Sequence, residues 1–111
     1  MSLFKNTPTK GSVRIIVFKD TSEGENAWYG VALDFNIVVS AETREKAHLS
    51  LIEAIDGYIH TVRSIKGLND FSPLNQKPDE EYLKLWESLT EGGSTPSPYQ
   101  VEFFGLQHIH A

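Results

Sequence analysis

The chain has 111 residues, of which 40% are hydrophobic and 23% are charged, and these proportions are those of one ordinary globular domain. Its 15 acidic side chains outnumber its 10 basic ones and give a formal net charge of -5, which argues against a surface built to bind nucleic-acid phosphates. The absence of cysteine excludes disulfides, thiolate metal sites and thiol nucleophiles.

Alternating apolar residues predict three consecutive strands after a loose lead-in over residues 1–12. The strands run over residues 13–19, 27–34 and 37–39. Because the connections between them are short, neighbouring strands are expected to be antiparallel. The sequence therefore predicts a three-stranded meander.

Beyond the third strand the apolar period changes from two to 3.6, which predicts one helix of about twenty residues that ends at Lys66-Gly67. Thr43 is the expected N-cap of this helix, and Ser40 is the rival cap. Gly57 lies inside the helix, where it indicates either close packing against a neighbour or a suboptimal surface position.

A shorter helix over residues 79–90 and a last strand over residues 99–106 follow a proline-containing connector. In the last strand, alternation places Tyr99, Val101 and Phe103 on one face. The element order is then β-β-β-α-α-β. It predicts a single α+β domain over residues 13–111, built as two layers around a core in residues 13–66.

The first two strands are apolar on both faces, although one helix covers only one face of a sheet. The alternation assigns Ile16, Phe18 and Trp28 to the second face. Because monomers seldom expose large apolar patches, these three residues form a candidate interface for self-association or for a partner. The alternative is that the second helix covers this face within one subunit.

Residues 28–59 read WYGVALDFNIVVSAETREKAHLSLIEAIDGYI and resemble the N-terminal module of HicB-like antitoxins. The resemblance is carried by the aromatic strand at residues 29–33, the cap at residues 41–43 and the aliphatic helix pattern at residues 51–55. It implies a partial RNase H-like fold and oligomerisation. It also implies a partner, the HicA toxin, which is small, basic and cleaves RNA.

Two features depart from that family. The cap at residues 40–43 lacks the usual glycine, and the chain after Lys66 has neither a helix at recognition-helix spacing nor a basic arm. DNA binding is therefore not expected.

The sequence contains no recognisable set of catalytic residues. An RNase H-type nuclease needs carboxylates that converge on metal ions, with one usually in the middle of the first strand, and residues 13–18 contain none. Asp20 and Asp34 are predicted to be turn residues. Among the histidines, His48 is assigned only to the first turns of the long helix and His60 to its surface, while His108 and His110 are assigned to the frayed end of the last strand. We expect no metal, no cofactor and no enzyme activity.

The resulting prediction is a cytoplasmic, non-enzymatic, HicB-like antitoxin module that forms a homo-oligomer, as a dimer or higher, and neutralises a HicA-like toxin. No apolar run is long enough to span a membrane. The alternative is an orphan protein-binding or ligand-binding domain of the same fold with no toxin partner.

Overall fold

Four antiparallel strands form one sheet in the order β3-β2-β1-β4. The structure is a computed structural model that describes residues 5–22, 27–65, 67, 70–93 and 98–109. The strands are β1 Gly11–Asp20, β2 Trp28–Ala32, β3 Ile37–Ala41 and β4 Tyr99–Ile109. The meander β1-β2-β3 agrees with the prediction, and β4 extends it by pairing with β1.

Helix α1, Arg44–Ser64, packs on one face of this sheet. Its N-cap is Thr43, whose Oγ1 accepts a hydrogen bond from the backbone N–H of Lys46 at 3.2 Å, as the sequence predicts. The apolar side chains that α1 buries against the sheet repeat at helical spacing. They are Ala47, Leu51, Ile55, Ile59 and Val62.

Helix α2, Glu80–Thr90, packs on the opposite face. Its N-cap is Asp79, whose Oδ1 accepts a hydrogen bond from the backbone N–H of Glu81 at 3.0 Å. Leu85 is buried from α2 onto Ile16 and Phe18 of β1. The domain therefore has three layers, with helix, sheet and helix, and the prediction of two layers is wrong.

Two short 3-10 helices, Leu33–Phe35 and Ser72–Leu74, were not predicted and interrupt the expected element order. The first replaces the end of the predicted second strand, so β2 stops at Ala32. Asn36 has a φ of 52° at its end, and this left-handed residue turns the chain into β3. The sequence predicts that the long helix ends at Lys66-Gly67, and α1 ends at Ser64. Lys66 lies outside the described residues, and Gly67 has the left-handed φ of 76°.

Neither of the two described α-helices is long and apolar enough to cross a membrane.

Candidate functional site

The structure separates the three residues of the predicted interface. Ile16 and Phe18 are 0% and 2% exposed beneath α2 of the same chain. For these two residues, the second helix therefore covers the face within one subunit, which was the alternative to an interface. Trp28 lies on the other face, half-buried against the core under α1. The reason is the register: Phe18 pairs with Tyr29, so those two share a face, while Trp28 pairs with Lys19. The three residues therefore form no common surface within this chain.

The outer face of α2 carries most of the acidic excess of the molecule. Residues 79–91 contain five carboxylates and one lysine, a net charge of -4 against -5 for the whole chain. All five carboxylate side chains lie on exposed residues, namely Asp79, Glu80, Glu81, Glu87 and Glu91. The lysine, Lys84, forms an exposed ion pair with Glu80 at 3.3 Å. This surface is therefore strongly acidic and accessible.

An open pocket of about 410 Å³ lies beside this acidic face, where α2 meets the start of β4. Leu85 and Tyr99 contribute apolar surface to the pocket, Glu80 and Glu81 contribute carboxylates, and Lys84 contributes an ammonium group that pairs with Glu80. Two carboxylates against one ammonium leave the charged lining net negative. A partly apolar pocket with such a lining suits a side chain with an aliphatic stem and a cationic end, which is the chemistry of lysine and arginine.

Tyr82 anchors α2 to the sheet and remains a neutral phenol over a wide pH range. Its ring lies 6.1 Å from that of Phe18, centroid to centroid. Burial raises the pKa of Tyr82, and the negative charges of Glu81 and Asp79 raise it further. The acidity of this face therefore comes from its carboxylates, and Tyr82 contributes packing.

Strand β4 is the second notable surface, because it exposes large apolar side chains on both of its faces. Phe103, Phe104 and Leu106 are 42%, 40% and 53% exposed. Phe103 stacks on His48 of α1 at 5.2 Å, whereas Phe104 meets Trp86 of α2 edge-on at 5.8 Å.

A β-bulge decides which residues of β4 share a face. Val17 pairs with Phe103 and Phe18 pairs with Val101, so Glu102 is an extra residue in β4. Val101 therefore lies on the α2 side, while Phe103 lies on the α1 side. The prediction that Tyr99, Val101 and Phe103 share one face is wrong at Phe103, and no local signal in the sequence marks the bulge.

The two carboxylates considered as nuclease candidates have structural partners. Asp20 Oδ1 accepts a hydrogen bond from the backbone N–H of Ser22 at 3.0 Å, which confirms its role in a turn. Asp34 lies in a 3-10 helix and binds Arg14 twice, through the guanidinium at 2.6 Å and the backbone N–H at 2.8 Å. Asp34 therefore ties the 3-10 helix after β2 to β1.

The described residues contain no group of three or more histidine, aspartate or glutamate side chains arranged to hold a metal ion. Among the histidines considered from the sequence, His48 packs on Phe103 and His108 is exposed on β4. His110 lies outside the described residues.

No protein-family model, curated protein or solved structure matches this chain. The resemblance to HicB-like antitoxins therefore stays a prediction.

Proposed function

We propose that this chain is a non-enzymatic, HicB-like antitoxin module of the cytoplasm that binds a small basic protein through the outer face of α2. The observation that carries the proposal is the concentration of a net charge of -4 in residues 79–91, next to a pocket that suits a lysine or arginine side chain. A HicA-like toxin is basic, and so it has the complementary charge. Complementary potentials of this kind accelerate association and select among partners.

The binding surface is rigidly held. Asp79 caps α2, and Leu85 is 1% exposed in the core between α2 and the sheet. The side-chain oxygen of Asn36 accepts a hydrogen bond from the backbone N–H of Asp79 at 2.9 Å and so ties the start of α2 to the turn before β3. The carboxylates of the first helical turn are thus presented from a fixed backbone, which lowers the entropic cost of binding.

The proposal predicts that a small basic protein is encoded beside this chain, and co-expression of the two proteins tests it. We expect the two proteins to purify as a complex, and we expect this chain to suppress RNA cleavage by its partner. The paired substitution Glu80→Gln and Glu81→Gln should weaken the complex about tenfold or more, because it removes two charges that face the partner.

The matched control is Glu53→Gln with Asp56→Asn, which removes two exposed charges from α1. This control should leave the affinity within about twofold, since distant surface charges are largely screened at physiological salt. Equal losses in the two variants would mean that net charge alone drives binding and would overturn the assignment to α2. A genomic neighbourhood without a small basic chain would overturn the antitoxin function itself.

A further inference from the structure

Strand β4 is an edge strand of the sheet. Within the described part of the chain it pairs with β1 on one side and has no strand on the other. Proteins usually shield such an edge with lysine, proline or a short strand. β3, the opposite edge, has five residues, whereas β4 has 11 and exposes Phe103, Phe104 and Leu106. The long edge is therefore the one suited to pairing with another strand.

The pairing with β1 shows which backbone groups of β4 face outward. On the β2 side of β1, the backbone N–H of Asp20 donates to the carbonyl of Ala27 and that of Arg14 donates to Asp34. Since backbone groups alternate in direction along a strand, Ile15 and Val17 direct theirs toward β4.

Ile15 and Val17 pair with Gly105 and Phe103, so these two β4 residues turn their N–H and C=O groups toward β1. The groups of Phe104 and Leu106 consequently face the open edge.

The charge of this edge indicates which kind of partner binds there. Residues 103–109 contain no aspartate, glutamate, lysine or arginine, so a basic partner finds no carboxylate to bind there. Two copies of this chain repel one another through a net charge of -5 each, and they meet with least repulsion along a segment free of carboxylates. The exposed aromatic and aliphatic side chains of that segment are complementary to themselves.

Gly105 indicates where the symmetry axis lies. A Cβ at Gly105 would lie 3.2 Å from the ring of Phe103 in the same strand, and a glycine in a strand interior is also one of the features found where another backbone approaches closely. In an antiparallel pair the closest approach, about 4.5 Å between Cα atoms, occurs at residue pairs that exchange no hydrogen bonds on that side. Gly105 directs its backbone groups toward β1 and so meets this condition on the open edge.

We infer that β4 pairs with β4 of a second copy about a two-fold axis at Gly105, so that two four-stranded sheets become one continuous sheet. In this register Phe104 lies opposite Leu106 of the second copy, and the same contact repeats across the axis. Both residues have outward-facing backbone groups, so each pair exchanges two hydrogen bonds. Phe103 lies opposite Gln107 on the other face.

Light scattering during gel filtration of the purified chain tests the pairing. The mass should rise with concentration from 12.5 kDa toward twice that value, because an interface made by a single strand from each copy is small, and small interfaces are weak and depend on concentration. Leu106→Lys should weaken the dimer roughly tenfold to a hundredfold, since it replaces a buried aliphatic contact by a charge. A monomer at every concentration would overturn the inference.

Val38→Lys is the matched control. Val38 is 49% exposed against 53% for Leu106, and it lies on the other edge strand, opposite Val31. It should leave the dimer unchanged, and thermal unfolding checks that both variants stay folded. An equal loss in both variants would overturn the assignment to β4.

Engineered cysteines test the register, because the chain has none of its own. A mixture of the Phe104→Cys and Leu106→Cys variants, one carrying a size tag, should form the mixed disulfide under mild oxidation. The Cα atoms of such a pair are about 5.5 Å apart, within disulfide reach. Each variant alone should crosslink poorly, because equivalent residues are diagonal neighbours about 7–8 Å apart.

Efficient crosslinking of Leu106→Cys alone, without the mixed product, would overturn the axis at Gly105. These experiments use the chain by itself, so their failure leaves the proposed binding of a basic partner through α2 unaffected.

Discussion

Gly30 sets how closely α1 approaches the sheet. A Cβ added at Gly30 would lie 3.0 Å from Leu51 Cβ and 3.1 Å from the carbonyl oxygen of Ala47. Because backbone cannot yield as a flexible side chain does, Gly30→Ala should lower the free energy of unfolding by about 1–3 kcal/mol. Urea unfolding followed by circular dichroism measures the change.

Gly57→Ala is the control for this prediction, with the opposite sign. Gly57 lies inside α1, and an added Cβ meets no atom within 4 Å. Alanine should therefore stabilise the protein by about 0.5–1 kcal/mol through helix propensity. The structure thus decides between the two roles expected for Gly57 in favour of the surface position. A neutral result for Gly30→Ala would show that α1 moves away from the sheet without cost.

Tyr82 makes stability depend on alkaline pH. Its pKa is raised in the folded state by burial and by neighbouring carboxylates. The folded protein therefore holds the phenolic proton more tightly than the unfolded chain does. This contribution is complete below the ordinary tyrosine pKa of about 10 and is lost as the pH rises through the folded value.

We accordingly expect the free energy of unfolding to fall above about pH 10, and we expect Tyr82→Phe to reduce that slope. Denaturant unfolding at several alkaline pH values measures it, and tyrosinate absorbance of the folded protein follows the ionisation directly. An unchanged slope in Tyr82→Phe would assign the alkaline dependence to other groups.

At the scale of elements, α2 covers the second face of the sheet. Leu85 is 1% exposed and packs with Ile16 and Phe18. Leu85→Ala should destabilise the protein by about 2–5 kcal/mol, because it removes buried apolar contacts and leaves a cavity. Denaturant unfolding measures the loss, and binding of a hydrophobic dye should increase as the sheet face is uncovered.

Leu49→Ala makes the same chemical change at a residue of α1 that is 60% exposed. It should alter the free energy of unfolding by no more than about 0.5 kcal/mol. Similar losses in the two leucine variants would show that α2 does not protect the sheet.

The elements also differ in how far local sequence specified them. The N-cap at Thr43 follows from side-chain chemistry within four residues, and both helices follow from local apolar spacing, so the structure confirms these predictions. The 3-10 helix at Leu33–Phe35 and the bulge at Glu102 depend on partners elsewhere in the chain. Asp34, for example, is held there by Arg14, which is 20 residues away.

For the whole molecule, the two proposed associations, binding of a basic partner through α2 and self-pairing through β4, should respond differently to ionic strength. The acidic face of α2 and a basic partner attract one another, so salt should weaken that complex. Two copies with a net charge of -5 each repel, so salt should strengthen pairing through β4. Dissociation constants measured between low and moderate salt should therefore move in opposite directions. If salt raised both dissociation constants, both associations would depend on attraction between charged surfaces, and the assignment of self-pairing to β4 would be contradicted.

The sequence by itself determined the α+β class, the meander, both helices and the acidity of residues 79–91, since each of these is a property of composition or of local periodicity. Only the tertiary structure decided that α2 covers Ile16 and Phe18, that Trp28 lies on the opposite face, and that β4 is an edge strand of the sheet formed by the described residues. The physical reason is that alternation divides each strand into two faces, while the register between strands decides which faces join. That register is set by contacts between residues far apart in the chain. As a result, the exposed apolar surface that the sequence predicts on β1 lies on β4 in the structure.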